Sequence, residues 1–313
     1  MSGAFPIASL QTQVASGALL ADRCTWRMGG PAKWLFSPQN LDDLALWRRA
    51  WPSDIPVLLL GGGSNLLIND DGFDGVAVTL CGGLQRISFI CADDQDARIE
   101  AEAGADTRAL AHFARRNGLS GAEFLCGIPG SLGGALRMNA GAYGGQMRDI
   151  VATATLMDPD GALHTLDVDA LGMRYRATSA PKDWLFVSAQ FTLRRDDPEA
   201  IRQRMRVNNR KRTNAQPLAF PSAGSVFRNP PGHSAWRLID QAGLRGHAIG
   251  AAQISEKHSN FFVNRGGARA SDMRALIDLT RHQVKSVTGV DLTLEVGLVE
   301  RHRLVTEPPL DAD

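Results

Sequence analysis

The chain has 313 residues, more than one hydrophobic core usually organises, so we expect two or three compact units. Its formal net charge of +1 at pH 7 gives no electrostatic reason to expect a nucleic-acid or membrane partner. Four scattered cysteines lack CxxC spacing and the histidines form no HExxH set, which predicts free thiols, a cytoplasmic location and no metal site. The first residues lack a basic segment followed by an apolar run, and no stretch reaches transmembrane length, so neither a signal peptide nor a membrane span is expected.

Sequence patterns divide the chain into three units and a tail, at residues 1–75, 76–197, 198–305 and 306–313. Helix and strand patterns do not alternate regularly along these units, as they would in a doubly wound parallel sheet. We therefore predict an α+β protein with mixed or antiparallel sheets.

The elements of the first two units follow from hydrophobic periodicity and from turn residues. The predicted strands span 57–60, 76–80, 85–90, 98–101, Val151–Met157, 163–168 and 185–194. One helix is predicted over 41–51, where Pro52 stops it. Another is predicted from Asp106, as N-cap, to Gly118, as C-terminal stop.

The third unit begins with a polar helix over 198–212, followed by a glycine- and proline-rich segment over 216–232. A second helix is predicted between Ser271, as N-cap, and Gly289, as C-terminal stop. Its apolar face comprises Met273, Leu276, Ile277, Val284 and Val287. A last strand is predicted over 291–299.

A buried strand runs directly into a polar first glycine loop, Gly61-Gly62-Gly63-Ser64-Asn65. Consecutive glycines allow backbone N–H groups to converge on phosphate oxygens, where a Cβ would obstruct the approach. A tight turn explains three glycines equally well. No GxGxxG is present and turn-like residues follow the loop, which excludes a Rossmann dinucleotide fingerprint.

The second glycine loop is denser and has apolar residues interleaved throughout. It comprises Gly127-Ile128-Pro129-Gly130-Ser131-Leu132-Gly133-Gly134 and Met138-Asn139-Ala140-Gly141-Ala142-Tyr143-Gly144-Gly145. The glycines would weaken a regular core element, and the interleaved apolar residues disfavour a floppy loop. A backbone cradle for a large, diphosphate-bearing ligand explains both features better.

Ordered motifs along the chain resemble those of one known family. They are Thr25-Trp26-Arg27-Met28-Gly29-Gly30-Pro31-Ala32, the two glycine loops, Tyr175-Arg176, Ala223-Gly224-Ser225-Val226-Phe227 and Leu238-Ile239-Asp240. Over about residues 23–299 this order resembles UDP-N-acetylenolpyruvoylglucosamine reductase, the MurB family. The resemblance implies an FAD-binding region of the vanillyl-alcohol-oxidase (PCMH) type at about 27–195, followed by a C-terminal α+β substrate-binding domain.

The resemblance places FAD against the two glycine loops. The implied contacts are Gly61, Gly62, Gly63, Ser64, Asn65, Gly127, Ile128, Pro129, Gly130, Ser131, Gly133, Gly134, Asn139, Ala140, Gly141 and Ala142. Some flavoproteins outside this family attach FAD covalently through a histidine or cysteine near the first loop. That loop contains neither here, so we expect non-covalent FAD, with NADPH as the hydride source that the family implies.

The family has two forms, one of which carries an added loop whose tyrosine closes over the substrate. The two tyrosines of this chain, Tyr143 and Tyr175, lie inside shared motifs, so the chain resembles the form without that loop. Two positions depart from the family pattern. Gly297 stands where relatives often carry an arginine that supports the catalytic glutamate, and Ala215 stands where many carry a lysine that contacts substrate.

The implied reaction adds a hydride to the methylene carbon of an enol ether and a proton to the adjacent carbon. The resemblance implies Ser225 as proton donor, Arg176 as the group that holds the carboxylate, and Glu295 as a buried acid. It also implies substrate contacts by Tyr175 and Asn229. Without the resemblance, a turn serine, a surface arginine and an exposed edge-strand glutamate explain the three catalytic candidates as well.

The implied activity is NADPH-dependent reduction of UDP-N-acetylglucosamine enolpyruvate for peptidoglycan synthesis, by a monomer whose partners are small molecules. The alternative is another FAD oxidoreductase of the same flavin fold, and a third interpretation is a non-catalytic nucleotide- or sugar-binding protein. The joint presence of Ser225, Arg176 and Glu295 disfavours the third. The basic run within 198–212 has no aromatic neighbours, which favours a solvated helix face over a nucleic-acid site.

Overall fold

The computed structural model describes residues 4–93 and 95–306. In chain order its strands are β1 (Val14–Leu19), β2 (Pro31–Phe36), β3 (Val57–Leu59), β4 (Leu66–Ile68), β5 (Phe73–Val78), β6 (Ile87–Ala92), β7 (Asp96–Glu102), β8 (Leu119–Ser120), β9 (Gly141–Ala142), β10 (Gly145–Gln146), β11 (Val151–Met157), β12 (Leu163–Asp167), β13 (Leu185–Arg195), β14 (Ser222–Ser225), β15 (Ala248–Ile249), β16 (Ala252–Ile254), β17 (Phe261–Asn264), β18 (Gly297–Val299) and β19 (Leu304–Val305). Its α-helices are α1 (Leu41–Ala50), α2 (Thr107–Arg116), α3 (Leu132–Arg137), α4 (Pro198–Ala215), α5 (Ala235–Gln241) and α6 (Ala270–Thr288). Short 3-10 helices span Ala8–Gln13, Leu20–Arg23, Glu123–Gly127 and Met147–Asp149.

The first sheet has the strand order β1-β2-β5-β3, in which β1 is antiparallel and the other pairs are parallel. Helix α1 begins after Asn40, whose Oδ1 accepts the N–H of Asp43 at 2.9 Å. Trp47 of this helix is fully buried against Phe36 of β2, with ring centroids 5.8 Å apart. An aromatic core therefore holds the helix on the sheet.

The second sheet is antiparallel, with the order β12-β11-β13-β7-β6. The two-residue strand β8 also pairs antiparallel with the last two residues of β13. Helix α2 buries Leu110 and Ala114 in the core beside this sheet. Its predicted ends are confirmed, since Asp106 Oδ1 accepts the N–H of Arg108 at 2.8 Å and Gly118 has a φ of +64°.

The C-terminal sheet is also antiparallel, with the order β14-β17-β16-β15. Its core is shared with the start of the chain, because Trp26 and Phe73 lie in one buried cluster with Phe262 and Met273. Strand β4 pairs in parallel with β18, which in turn pairs with β19. The third unit is thus anchored on the first by both side chains and main chain.

Most predicted elements are confirmed with shifted ends, and the α+β class is confirmed. Val151–Met157 is reproduced to the residue, whereas α4 continues past the predicted end at residue 212 to Ala215. Strand β5 begins before the predicted 76–80, so the expected boundary at residue 75 lies inside a strand. That boundary would cut β5, and the other boundaries between the units stay predictions. Along the described residues, none of the helices is long and apolar enough to cross a bilayer.

Two predictions for α6 are wrong. Ser271 lies inside the helix, and a residue distant in the chain caps it instead, because Asp70 accepts the N–H groups of Ala270 and Ser271 at 2.7 and 3.0 Å. Val287, assigned to the apolar face, is 52% exposed. The helix extends beyond its buried partners after Val284, so its last turn meets solvent.

The predicted strand over 291–299 is wrong in its first half, since only β18 forms there. Thr293 and Glu295 instead bond through their main chains to Arg228 and Val226, at 2.9 Å in both cases. The alternating pattern of apolar residues reports burial in the core, but irregular pairing takes the place of a regular ladder.

Candidate active site

The two glycine loops lie against each other. A Cβ on Gly62 would stand 2.7 Å from the Cα of Gly130, so the two backbones approach as only glycine permits. Across the same junction, Ser64 Oγ donates to the carbonyl of Pro129 at 3.0 Å. Two segments recognised separately in the sequence therefore form one surface.

The second loop contains a helix that the sequence argument missed. Helix α3 begins after Ser131, whose Oγ accepts the N–H of Gly134 at 3.5 Å. Gly133 donates its N–H to the carbonyl of Ala103 at 2.8 Å, and a Cβ on it would lie 3.1 Å from that residue's Cβ. Close packing on the neighbouring segment thus overrides the helix penalty of about 1 kcal/mol for each glycine.

Asn139 is buried, and its side chain is used inside the protein. Its Nδ2 donates to Gln146 Oε1 at 2.9 Å and to the carbonyl of Arg174 at 3.2 Å, while its Oδ1 accepts the N–H of Arg148 at 3.0 Å. These bonds tie the second loop to the segment that precedes Arg176. Asn139 thus organises the loop, and its contact with a cofactor stays a prediction.

The remaining positions of the second loop are packed through their main chains. Ala140 donates its N–H at 2.8 Å and accepts one at 3.0 Å, and β9 pairs with β10 in a short hairpin. Thr107 donates its hydroxyl to the carbonyl of Ile128. A Cβ on Gly127 would lie 2.8 Å from the ring of Tyr143. The loop is therefore rigidly supported from within.

A cavity of about 580 Å³ opens beside the first loop, and the lining residues include Thr25, Leu60, Gly61 and Gly62. This volume is in the usual range for a cofactor site. Gly63 closes the loop with a φ of +59°, and its carbonyl accepts the N–H of Thr25 at 3.1 Å. The hydroxyl of Thr25 is buried and finds no hydrogen-bond partner among the described residues. Main-chain, hydroxyl and apolar lining together suit an elongated dinucleotide.

Arg176 and Glu295 meet although they are 119 residues apart. Arg176 Nε donates to Glu295 Oε1 at 2.5 Å, and the two side chains are only 22% and 13% exposed. The guanidinium carbon of Arg176 lies 5.1 Å from the ring centroid of Tyr175, which is itself 48% exposed. The structure thus joins two of the predicted catalytic residues and leaves the predicted substrate contact Tyr175 beside them at the surface.

The Glu295 carboxyl is shaped by burial and by two arginines. Burial raises its pKa above the ordinary value, and the positive charges of Arg176 and Arg228 offset this only in part. The carboxyl therefore keeps its proton to higher pH than an exposed glutamate. Arg228 is only 5% exposed, and the sequence analysis did not identify it as a site residue. The one available signal was its charge directly after the small and apolar residues of the Ser225 motif.

Ser225, the third predicted catalytic residue, ends β14, one residue before a main-chain bond to Glu295. The carbonyl of the following residue, Val226, accepts the Glu295 N–H at 2.9 Å. Buried Asn260 fixes the same segment, with its Oδ1 accepting the N–H of Phe227 at 3.0 Å and its Nδ2 donating back to that residue's carbonyl at 2.8 Å. Asn260 is a supporting residue that the sequence did not reveal.

Asn229 is exposed, and its Oδ1 accepts the N–H of Ala235 at 3.0 Å where α5 begins. This bond holds the start of the helix after the Ser225 motif. The substrate contact expected of Asn229 stays a prediction.

Backbone strain concentrates in the motifs that carry the resemblance. Within the described residues, the non-glycine residues with positive φ are Arg27 at 54°, Asn139 at 39°, Tyr143 at 57° and Arg176 at 54°. Each such residue costs about 1–3 kcal/mol and persists only where its surroundings impose it. Strained residues cluster at functional sites, which agrees with the roles expected of these motifs.

Two family models match this chain in succession. One is described as FAD binding domain and matches residues 32–167, and the other, described as UDP-N-acetylenolpyruvoylglucosamine reductase, C-terminal domain, matches residues 216–299. The chain is 52% identical to UDP-N-acetylenolpyruvoylglucosamine reductase of Magnetococcus marinus over 97% of each chain, and 41% identical to that of Gluconobacter oxydans over 96% of each. The chain belongs to the UDP-N-acetylenolpyruvoylglucosamine reductase (MurB) family. The crystal structure of MurB from Thermus caldophilus agrees, with a TM-score of 0.77 and 36% identity over 90% of this chain and 98% of that one.

Membership of the MurB family confirms an FAD-dependent oxidoreductase with an FAD-binding region followed by a MurB C-terminal domain. The residues present fit this cofactor, because the cavity beside the first loop has a volume in the usual range of ligand sites and a lining of main-chain, hydroxyl and apolar groups. Gly61, Gly62 and Thr25 would hold FAD there. Within residues 4–93 and 95–306, no group of three or more His, Cys, Asp or Glu side chains could hold a metal ion.

The two positions that are expected to depart from the family pattern have distinct surroundings. A Cβ on Gly297 would lie 2.9 Å from Leu304 Cδ1 and 3.2 Å from Leu66 Cδ2, so this position is tightly enclosed. Ala215 ends α4, where the Lys257 ammonium is nevertheless close, because its Nζ donates to a carbonyl of that helix's last turn at 2.5 Å.

Proposed function

We propose that this chain reduces UDP-N-acetylglucosamine enolpyruvate to UDP-N-acetylmuramate with FAD and NADPH, in peptidoglycan precursor synthesis. The names of its relatives support the substrate, and the chemistry of the site supports the reaction. The observation that carries the proposal is the Arg176–Glu295 pair at 2.5 Å, bonded through the main chain to the segment that bears Ser225.

The reaction sets three tasks, of which this chain's side chains perform two. When bound, FAD supplies the hydride that adds to the methylene carbon of the enol ether. Negative charge then develops toward the substrate carboxylate and needs stabilisation. A proton must also reach the carbon next to the one that received the hydride.

Arg176 and Glu295 are suited to stabilise this charge. The guanidinium uses Nε on Glu295, and its terminal nitrogens can hold the substrate carboxylate in a planar fork. Because burial raises the pKa of Glu295, its protonated form can donate a hydrogen bond to the developing charge.

Ser225 is the proton donor in this proposal. It follows Gly224, which has a φ of +79° and open space where a Cβ would stand, and Ser225 is itself only half-buried, so a substrate has room on this part of the strand. The serine proton goes to the substrate carbon, and the hydroxyl regains a proton from solvent. Hydride and proton together convert the carbon–carbon double bond to a single bond.

FAD is held without a covalent bond in this proposal. Among the described residues that line the cavity there is no histidine, and the cysteines there are Cys24 and Cys81. Burial raises the pKa of the Cys24 thiol, which makes it a poor nucleophile. Acid precipitation should release the flavin into the supernatant, whereas flavin retained in the pellet would contradict non-covalent binding.

The chain works as a monomer in the cytoplasm in this proposal. Its cysteines Cys24, Cys81, Cys91 and Cys126 are free thiols, which suits a reducing compartment. Sedimentation of the purified holoprotein at micromolar concentration should give the mass of one chain, and a dimer mass would contradict the monomer.

Absorbance spectroscopy tests the activity. Without oxygen, NADPH should bleach the flavin, and the enolpyruvyl UDP-sugar should restore its absorbance while UDP-N-acetylmuramate forms in equal amount. UDP-N-acetylglucosamine lacks the enolpyruvyl group and is the matched control, which should leave the flavin reduced. Bleaching by an alcohol instead of NADPH, or reoxidation by oxygen but not by the UDP-sugar, would favour another FAD oxidoreductase.

A further inference from the structure

Asn65 connects the first glycine loop to Glu295. Its Nδ2 donates to the Glu295 carbonyl at 2.9 Å, and its own carbonyl accepts the Gly297 N–H, also at 2.9 Å. The family resemblance implies that Asn65 contacts the cofactor, while its side-chain amide bonds to the main chain of the glutamate. Asn65 of the cofactor loop therefore holds the main chain at two points directly after Glu295, the Glu295 carbonyl and the Gly297 N–H.

These bonds continue the parallel hydrogen-bond ladder between β4 and β18 by one residue, to Asn65. Strand β4 follows Asn65 directly, and its residues Leu66 and Ile68 stand opposite Gly297 and Val299 of β18. Because alternate residues of an extended chain point to opposite sides, a slip of one residue would turn Glu295 away from the site. The ladder, with Asn65 at its end, sets the register of the glutamate against the cofactor loop.

The main chain of Glu295 is held from a second side as well. Its N–H donates to the carbonyl of Val226 at 2.9 Å, next to Ser225, while its carbonyl accepts the Asn65 amide. The carboxyl then reaches Arg176 at 2.5 Å. Catalytic groups must be fixed within a fraction of an ångström, and supporting hydrogen bonds commonly provide that precision.

We propose that Asn65 is a positioning residue, which holds Glu295 in register for the reduction of the enolpyruvyl UDP-sugar. The inference rests on the proposed function for the role of Glu295. The side-chain bond is the part of the arrangement that a substitution can remove while the main-chain ladder remains. Asn65→Ala removes the amide, and Asn65→Asp keeps its size but sets a carboxylate oxygen against the Glu295 carbonyl.

Rapid-mixing absorbance on the separate half-reactions tests this role in the holoenzyme. The flavin is reduced with dithionite, so that reoxidation by the enolpyruvyl UDP-sugar is measured independently of NADPH. Reoxidation should slow by about 10- to 100-fold in both variants, since a displacement of about 1 Å at a reacting group has an effect of that size. NADPH should bleach the flavin at close to the wild-type rate, and flavin content should stay normal. Equal slowing of both half-reactions, or wild-type reoxidation, would overturn the proposal.

A double-mutant cycle shows whether Asn65 acts through Glu295. Effects of two residues that act through one contact do not add. In the Glu295→Gln background, Asn65→Ala should therefore slow reoxidation by a much smaller factor than in the wild type. Additive effects would mean that Asn65 acts elsewhere, and would overturn the proposal.

Ser64→Ala provides the matched control within the same loop. It removes the bond to the Pro129 carbonyl, which joins the two glycine loops and does not involve Glu295. This variant should weaken flavin retention more than it slows reoxidation of the loaded enzyme. Reoxidation as slow as that of Asn65→Ala would show a general disturbance of the loop and overturn the proposal.

The cycle also separates failure of the inference from failure of the proposed function. If Glu295→Gln reoxidises at the wild-type rate, the role assigned to Glu295 fails, and the inference fails with it. If Glu295→Gln is slow while Asn65→Ala is fast, the proposed function stands and only the role of Asn65 is lost.

Discussion

The two halves of the proposed active site are built from different parts of the polypeptide. The cofactor half is made of main chain, where a Cβ added to Gly62 of the first loop would stand 2.7 Å from the Cα of Gly130 in the second, and one short helix packs through its glycines. The charged half is made of the side chains of Arg176, Ser225 and Glu295, which arrive from three separate segments. Composition alone marks the first half, whereas only the folded chain assembles the second.

This difference predicts different modes of failure. Damage to the glycine loops should appear as loss of flavin, because backbone surfaces tolerate no added side chain. Damage to the charged half should leave the flavin bound and slow its reoxidation by substrate. Measurements that separate flavin content from the two half-reactions therefore test whether the two halves fail independently.

The largest effect is expected for Ser225→Ala. Removing the proposed proton donor should slow reoxidation of the flavin by the enolpyruvyl UDP-sugar by about 100- to 10,000-fold, the usual contribution of a positioned acid. NADPH should still bleach the flavin, because no substrate carbon is protonated in that step. Rapid-mixing absorbance measures both rates.

Ser222→Ala is the matched control, since Ser222 begins the same strand, β14, and is also half-buried. It should change neither half-reaction appreciably. Unchanged reoxidation in Ser225→Ala would remove this serine from the mechanism, and equal slowing of both half-reactions would indicate a disturbed flavin pocket.

A smaller effect is expected for Arg176→Lys. Lysine retains the charge but lacks the Nε that donates to Glu295. A hydrogen bond to a charged group contributes about 1.5–3 kcal/mol, so turnover should fall by roughly 10- to 100-fold with flavin content unchanged. Arg174→Lys is the control, since its guanidinium bonds to the exposed Ser179. Wild-type turnover in Arg176→Lys would show a purely structural arginine.

Gly62→Ala tests the cofactor half. The new Cβ would stand 2.7 Å from Gly130 Cα, and such overpacking typically costs about 1–3 kcal/mol, so flavin affinity should fall by roughly 10-fold or more. The control is Gly82→Ala, where a Cβ meets ordinary contact at 3.7 Å. Fluorescence titration of apoprotein with FAD measures the affinity. Full flavin retention combined with slow reoxidation would contradict the division of the site into two halves.

How far the sequence predicts this molecule depends on the range of the interactions. Local signals placed α2, since Asp106 caps it and Gly118 ends it within the same segment. The spacing of apolar residues alone did not predict where α6 begins, because the cap comes from Asp70, 200 residues earlier in the chain. Nor could spacing bring Arg176 to Glu295, and here the family resemblance supplied what local rules do not contain.

The smallest effect is expected for Asp70, which joins the two parts of the chain by capping α6 from the first unit. Its Oδ1 and Oδ2 accept the N–H groups of Ala270 and Ser271 at 2.7 and 3.0 Å. Loss of such a cap lowers the free energy of unfolding by about 1 kcal/mol, so Asp70→Ala should lower the urea midpoint by that free energy divided by the m-value. Both half-reactions should be unaffected, since the cap touches neither half of the site.

Comparison of Asp70→Asn with Asp70→Ala separates the cap from the charge. Burial acts to raise the Asp70 pKa, but the N–H bonds from Ser271 and Ala270 outweigh it and the net pKa is lowered. A lowered folded-state pKa means stabilisation above the ordinary value of about 3.9, which is lost as pH falls through the folded-state value. Asp70→Asn keeps one of the two capping oxygens and sets its NH2 group against the second N–H, so it should retain part of the stability at neutral pH and lose the acid dependence. Exposed Asp71→Ala is the control and should match the wild type at every pH. A wild-type urea midpoint for Asp70→Ala at neutral pH would show that α6 does not depend on its remote cap.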